Sequence, residues 1–244
     1  MDPYLRLLAV MEAALRDFES GMERPILLNA GTRGKIHRLP KQDVNHAILL
    51  KLVAMLSALN AAHILMRQGH VMEQAAIERI ADEAGEDVFF LTLAVLKGMT
   101  DLHRRFLDAF WAEEFDDFDD TVGSHKSREM IPRQKIRAYI NSFHPSDPST
   151  ANQVARIIAK TYSGFVHLAA PHIMEVYRPD SGTFSVTGML GTPRASEHAH
   201  DFWNYLYRGG LAFVAAAKAF GSDDHSQMMM NSLKAFQAAT GREY

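Results

Sequence analysis

The stretch AILLKLVAMLSALNAAHILM, Ala47 to Met66, decides how the rest of the chain is read. It has about the 20 residues that a membrane span needs, yet it carries Lys51, Asn60 and His63. A Lys near the middle of a span costs about 2.5–3.5 kcal/mol on insertion scales. Drawn as a helix from about Lys41 to Gln68, the segment is apolar on every side, the pattern of a central helix covered by others. The spacing therefore predicts the buried helix of a soluble all-α bundle, with no membrane contact.

Upstream, Tyr4, Leu7, Leu8, Met11, Leu15 and Phe18 form one helical stripe that ends at Gly21. Residues 21–40, with three Gly and two Pro, read as a long loop. Downstream, a third helix starts near Val71 with Ile77, Ile80, Ala84, Val88, Leu91 and Val95 on one face, and Gly85 marks a kink or a break. An amphipathic helix over Thr100 to about Phe115, a surface loop to Ile131 and a short helix from Pro132 to Phe143 follow. After the turn residues 144–148, a long helix runs from Ser149 to about Ala169, and Pro171 opens a short one. The alternating patch 183–187 predicts a small β-hairpin near 183–191. Thr192-Pro193 signals the cap and first turn of a helix reaching Phe220, and residues 222–240 form the last one. No internal repeat interrupts this order, so residues 1–244 read as a single domain of seven or eight helices.

The chain has 244 residues, 47% apolar and 23% charged, an ordinary globular composition long enough for a sizeable core. Its 26 basic against 29 acidic residues leave −3, without the basic excess that bulk nucleic-acid binding requires. The absence of cysteine excludes disulfides, thiolate zinc sites, iron–sulfur clusters and a cysteine nucleophile. Together with a start that lacks the charged-then-apolar leader pattern, it points to the cytoplasm.

Few motifs survive inspection. Gly31-Thr32-Arg33-Gly34-Lys35 has the wrong glycine spacing for a phosphate loop, with Ile36 where Ser or Thr belongs. A calcium loop starting at Asp117 would put Val122 at the glycine position and Arg128 at the bidentate Glu. The histidines are more promising. Glu197-His198-Ala199-His200 contains one Glu-x-x-His unit of the kind that holds a divalent metal in helical bundles, and His167, His172 and Glu175 would complete a site with Glu197 and His200. Two polar stripes stand out on helical spacing: Asn60, His63, Arg67 and His70, and Arg156, Lys160, Ser163 and His167. Ser163 and His167 resemble a nucleophile and base, but no carboxylate orienter or oxyanion hole accompanies them.

The segment Tyr162-Ser163-Gly164-Phe165-Val166-His167 resembles stretches of uncharacterised prokaryotic helical proteins loosely linked to the HEPN superfamily. It covers well under a tenth of the chain. Ribonucleases of that superfamily carry Arg, four to six residues, then His. Arg194 to His200 and Arg137 to His144 have this spacing, with Ala195 and Ala138 where the family has a polar residue. The resemblance implies a dimeric ribonuclease using Arg194 and His200.

The leading expectation is a helical binding or interaction module, self-associating or joined to a protein partner. Its pocket is rimmed by the loop 178–193 and built from Ser163, His167, His172, Phe184 and Met189. Such long aperiodic loops are usually functional. The alternatives are the HEPN-like ribonuclease and a metal-dependent hydrolase.

Overall fold

The computed structural model describes residues 2–31, 34–120, 122–124, 129–143, 153, 157 and 160–243. Helix α1 (Pro3–Ser20) leads into a two-stranded ribbon, β1 (Ile26–Asn29) and β2 (Lys35–Arg38), and then into α2 (Val44–Gln68) and α3 (Val71–Lys97). Helices α4 (Asp101–Trp111), α5 (Arg133–Asn141) and α6 (Ala170–Ile173) follow, with a further helical stretch at 160–166. A 3-10 turn (Met174–Val176) precedes a second ribbon, β3 (Tyr177–Arg178) and β4 (Thr183–Phe184). The chain closes with α7 (Pro193–Ala219) and α8 (Asp223–Thr240). The fold is an all-α bundle with two small antiparallel ribbons.

Local chemistry starts these helices where the sequence changes character. Asp2 accepts from the Tyr4 amide at 2.9 Å with Pro3 in the first turn of α1, and Thr192 with Pro193 does the same for α7. Three helices share one device, an N-cap whose side chain also meets the ring of a His three residues on. The pairs are Asp43–His46 at 2.7 Å, Thr100–His103 at 2.8 Å and Ser222–His225 at 2.7 Å. An N-cap side chain satisfies amides that have no partner within the helix.

Helix α2 sits centrally, packed against α1, α3 and α7. Among the described residues it is the one helix long and apolar enough to cross a membrane. Here Leu52, Leu59 and Ile48 are fully buried with Phe90, Phe202, Trp203 and Phe213 in one continuous core. Each such side chain stabilises the fold by roughly 1.5–3 kcal/mol. Its Lys51 is neutralised by Asp87 of α3 at 2.7 Å; Asp87 also pairs with Arg133, and Glu86 holds Arg133 and Arg137, each at 2.6 Å. Paired glycines bring α7 close to two neighbours. A Cβ on Gly209 would lie 2.7 Å from Leu59, and one on Gly210 would lie 2.5 Å from Leu233 of α8.

Three expectations are corrected. Residues 26–29 and 35–38, expected as loop, form the β1–β2 ribbon, and beside it the Ala30 amide donates to the Gly34 carbonyl at 2.7 Å. Gly85 does not break α3, which runs unbroken through it; it gives room to Met55 of α2, whose sulfur would be 3.3 Å from a Cβ there. The buried face of α3 is also rotated from the expected one, for Ile80 and Val95 are exposed while Gln74, Glu78 and Arg79 are buried. The turn 144–148, Arg156 and most of 149–159 lie outside the described residues.

Candidate functional site

The segment between α6 and α7 is folded back onto the α2–α3 turn. Gly69 ends α2 with φ 75°, and its carbonyl accepts from the Met189 amide at 2.7 Å. Gly188, at φ 112°, passes so close that a Cβ there would lie 2.3 Å from the Gln68 carbonyl oxygen. Only glycine takes that conformation at that distance without strain. Met189 is thereby buried, whereas Phe184, Val186 and Leu190 remain exposed. Between this docked segment and the start of α7 lies a cavity of about 560 Å³, lined by Met174, Glu175, Tyr177, Met189, Arg194 and Glu197, with Arg194 3.7 Å from Glu175.

A line of polar side chains runs from the cavity wall into the core. The Nε2 of His198 is 2.9 Å from Glu175 Oε2, and the imidazole is buried. Burial pushes the Glu175 carboxyl up, but the bond to His198 and the charges of Arg194 and His172 outweigh it and hold the group below its usual range. Gln74 Nε2 donates to the His198 carbonyl at 2.8 Å and to Glu78 Oε1 at 2.7 Å. Glu78 is 0% exposed, and its Oε2 has no hydrogen-bond partner among the described residues. Burial, partly offset by the Gln74 bond and reinforced by the Asp201 charge, pushes it up to about 8. It is thus a neutral acid at pH 7. The Tyr162 hydroxyl donates to Asp201 at 2.7 Å, and its ring meets Tyr205 edge-on at 5.3 Å. Both phenols are pushed up, by burial first, so they stay protonated donors.

No known protein family, curated protein or solved structure matches this chain. The site is therefore read from its own geometry.

Of the residues singled out from sequence, Met189 reaches the cavity wall, together with Glu175, Arg194 and Glu197. His172 is turned away, its Nε2 donating to the Thr161 carbonyl at 2.9 Å and its ring edge-on to Phe165 at 4.4 Å. Ser163 is half-buried, and His167 and Phe184 are exposed. The proposed metal ligands His167, His172, Glu175, Glu197 and His200 do not converge, and among the described residues no three His, Asp or Glu side chains could hold a metal ion together. Glu175 is taken by His198, Glu197 by Arg194 at 2.6 Å, and His200 is exposed. The Arg194–His200 pair separates too: six residues on one continuous helix stand about 120° apart around its axis. The Arg137 guanidinium is bound to Glu86 at 2.6 Å, and His144 lies outside the described residues. Of the other polar stripe, His63 is buried 3.8 Å from Asp2, and Arg67 is 3.9 Å from the same carboxylate.

The polar line was missed: His198, Gln74, Glu78, Asp201 and Tyr205. The signal for His198 was present: it shares a stripe with Phe202, Tyr205 and Gly209, all buried, whereas His200 lies off it. Glu78 offered no comparable signal, because a Glu in a helix ordinarily marks the solvent face.

Proposed function

We propose that this protein is a cytoplasmic binding module whose ligand is a small organic molecule held in the cavity lined by Glu175, Arg194 and Glu197. The observation that carries the reading is the cavity itself, about 560 Å³, within the size range of small-molecule sites. Its frame is fixed by backbone contacts between Gly188 and the α2–α3 turn. Met174, Tyr177 and Met189 offer an apolar wall, while Arg194 and Glu197 offer an ion pair that a polar group of the ligand can enter. The lack of cysteine fits a reducing compartment.

The test is a thermal-shift screen of soluble metabolites on the full chain, since a ligand of the native state must raise its stability. A true ligand raises the melting temperature of the wild type but not of Met174→Trp, which fills the cavity from a half-exposed wall position. The reading fails if no compound shifts the wild type, or if the shift is undiminished in the variant.

A further inference from the structure

A second cavity, of about 760 Å³, is a groove between α1 and α8. The two helices run antiparallel, for Tyr4 meets Phe236 edge-on at 5.4 Å near one end and His225 lies 3.0 Å from Asp17 near the other. The groove exists because of side-chain size. Ser232, Ala235 and Ala239 fall on one stripe of α8, too small to close against α1, and the buried Leu7 and Phe236 form the floor. The lining reaches from Asp224 to Ala239 along α8, about 20 Å of helix, so the space is long rather than round. Val10 and the flexible Met228 continue its apolar wall.

One charge in this groove is unanswered. Arg6 lines it near the start of α1, and no carboxylate pairs with it among the described residues. Asp2, one turn back, is engaged elsewhere: it accepts from the Tyr4 amide at 2.9 Å and faces His63 at 3.8 Å and Arg67 at 3.9 Å. The end of α8 that faces the start of α1, from Ala235 to Ala239, holds no acidic residue. Arg16, further along the same helix, shows the contrast, for it is paired with both Glu12 and Glu19. A guanidinium stays charged at every working pH, so its demand for an anion does not depend on a titration. Asp224 also lines the groove, but in the first turn of α8, where the positive end of the helix stabilises it. It stands about 15 Å along the axis from the end at which Arg6 lies.

We infer that this groove binds a single-chain anionic amphiphile, a carboxylate carrying an unbranched aliphatic tail. The carboxylate matches the two-pronged donor set of Arg6, and the tail lies along the stripe of small residues, covering Leu7 and Phe236. A volume of about 760 Å³ with a mostly apolar lining and few polar groups is that of a small-molecule site. A compact polar metabolite would leave most of its length empty. The groove shares no lining residue with the cavity beside Glu175.

The experiment is isothermal titration of the full chain with decanoate, octanoate, decanol and decyltrimethylammonium. Decanoate binds saturably, and octanoate about tenfold more weakly, the worth of two methylenes taken out of water. Decanol and the quaternary ion bind at least tenfold more weakly than decanoate, because neither brings an anion to Arg6. Arg6→Gln, at an exposed position, weakens decanoate about tenfold and leaves decanol unchanged. Ala235→Trp, also at an exposed position, fills the groove and abolishes binding, and Ala239→Trp carries the same comparison if it does not fold; Met174→Trp has no effect. The inference is overturned if decanol or the quaternary ion matches decanoate, if Arg6→Gln or the groove-filling variant binds as the wild type does, or if nothing saturates by about 1 mM. It is overturned equally if sedimentation shows a dimer that Ala235→Trp dissociates, for the groove is then covered by a second copy of the chain.

Discussion

Replacing Glu78 by Gln should remove most of one pH dependence from the stability of this protein. Glu78 is fully buried between α3 and α7, and its carboxyl is raised from 4.5 to about 8, chiefly by burial. A carboxyl whose folded pKa is raised keeps a proton that the unfolded chain has released, so between pH 4.5 and about 8 stability falls as pH rises. The slope for one proton is about 1.4 kcal/mol per pH unit. Between pH 5.5 and 7.5 the wild type should thus lose roughly 2–3 kcal/mol that Glu78→Gln retains. The amide keeps an acceptor for Gln74, and its NH₂ replaces an acid O–H that also has no partner among the described residues, so the added cost is that of one more N–H, about 1 kcal/mol. The variant is therefore near the wild type in stability at pH 5.5 and more stable than it by about 2 kcal/mol at pH 7.5, with a flatter slope. Urea unfolding of both proteins at pH 5.5, 6.5 and 7.5 measures this, and contributions from the histidines cancel in the difference. Parallel profiles, within about 0.5 kcal/mol, would refute the assignment of Glu78 as a buried neutral acid.

Further outcomes follow from the packing. Gly188→Ala should release the 185–191 segment, because its Cβ would meet the Gln68 carbonyl oxygen at 2.3 Å. The loss is bounded by what docking contributes, about 2–4 kcal/mol for burying Met189 and one backbone hydrogen bond, and hydrogen exchange should rise at Met189 while α7 stays protected. Asp87→Ala should cost about 3 kcal/mol, since it strands Lys51 and leaves Arg133 with Glu86 as its one carboxylate among the described residues; Lys51→Met should cost less than about 1 kcal/mol because Asp87 keeps Arg133. Denaturant midpoints that rank these two variants the other way would contradict the network. Asp43→Ala should cost about 1 kcal/mol as a lost cap. The folded pKa of Asp43 is depressed to about 2, so that difference is present at neutral pH and shrinks as pH falls through about 2, which thermal unfolding in acid would show.

What the sequence made legible follows the periodicity of burial. The residues Leu7, Met11 and Phe18 of α1, and Phe202, Leu206 and Phe213 of α7, are buried where helical spacing puts them. The cap at Thr192 stands where Thr192-Pro193 signalled it. The β1–β2 ribbon was not legible because Ile26, Leu27 and Leu28 are all exposed, so no alternation between faces marks it as a strand. The site was legible only in outline. The loop before α7 announced itself by glycines and apolar residues, but the depth of the polar line did not, since Gln74 and Glu78 look like surface positions until α7 is laid across them. The histidines misled for a related reason. His46, His103 and His225 are spent on helix starts, a local use that composition cannot separate from ligand binding.

The central place of α2 has a consequence for biosynthesis. Its apolar faces are covered partly by α3, the next helix to be made, and partly by α7, which begins only at Pro193. At about 5–20 residues per second, a ribosome takes roughly 6–25 s to travel from the end of α2 to the start of α7. During that interval a segment apolar enough for a bilayer is attached to the ribosome with part of its cover unsynthesised. During that time α1 and α3 are its early shelter, and its remaining apolar face is open to any factor that binds such segments. Truncated chains arrested before residue 193 should crosslink to such factors through α2, and full-length chains should not.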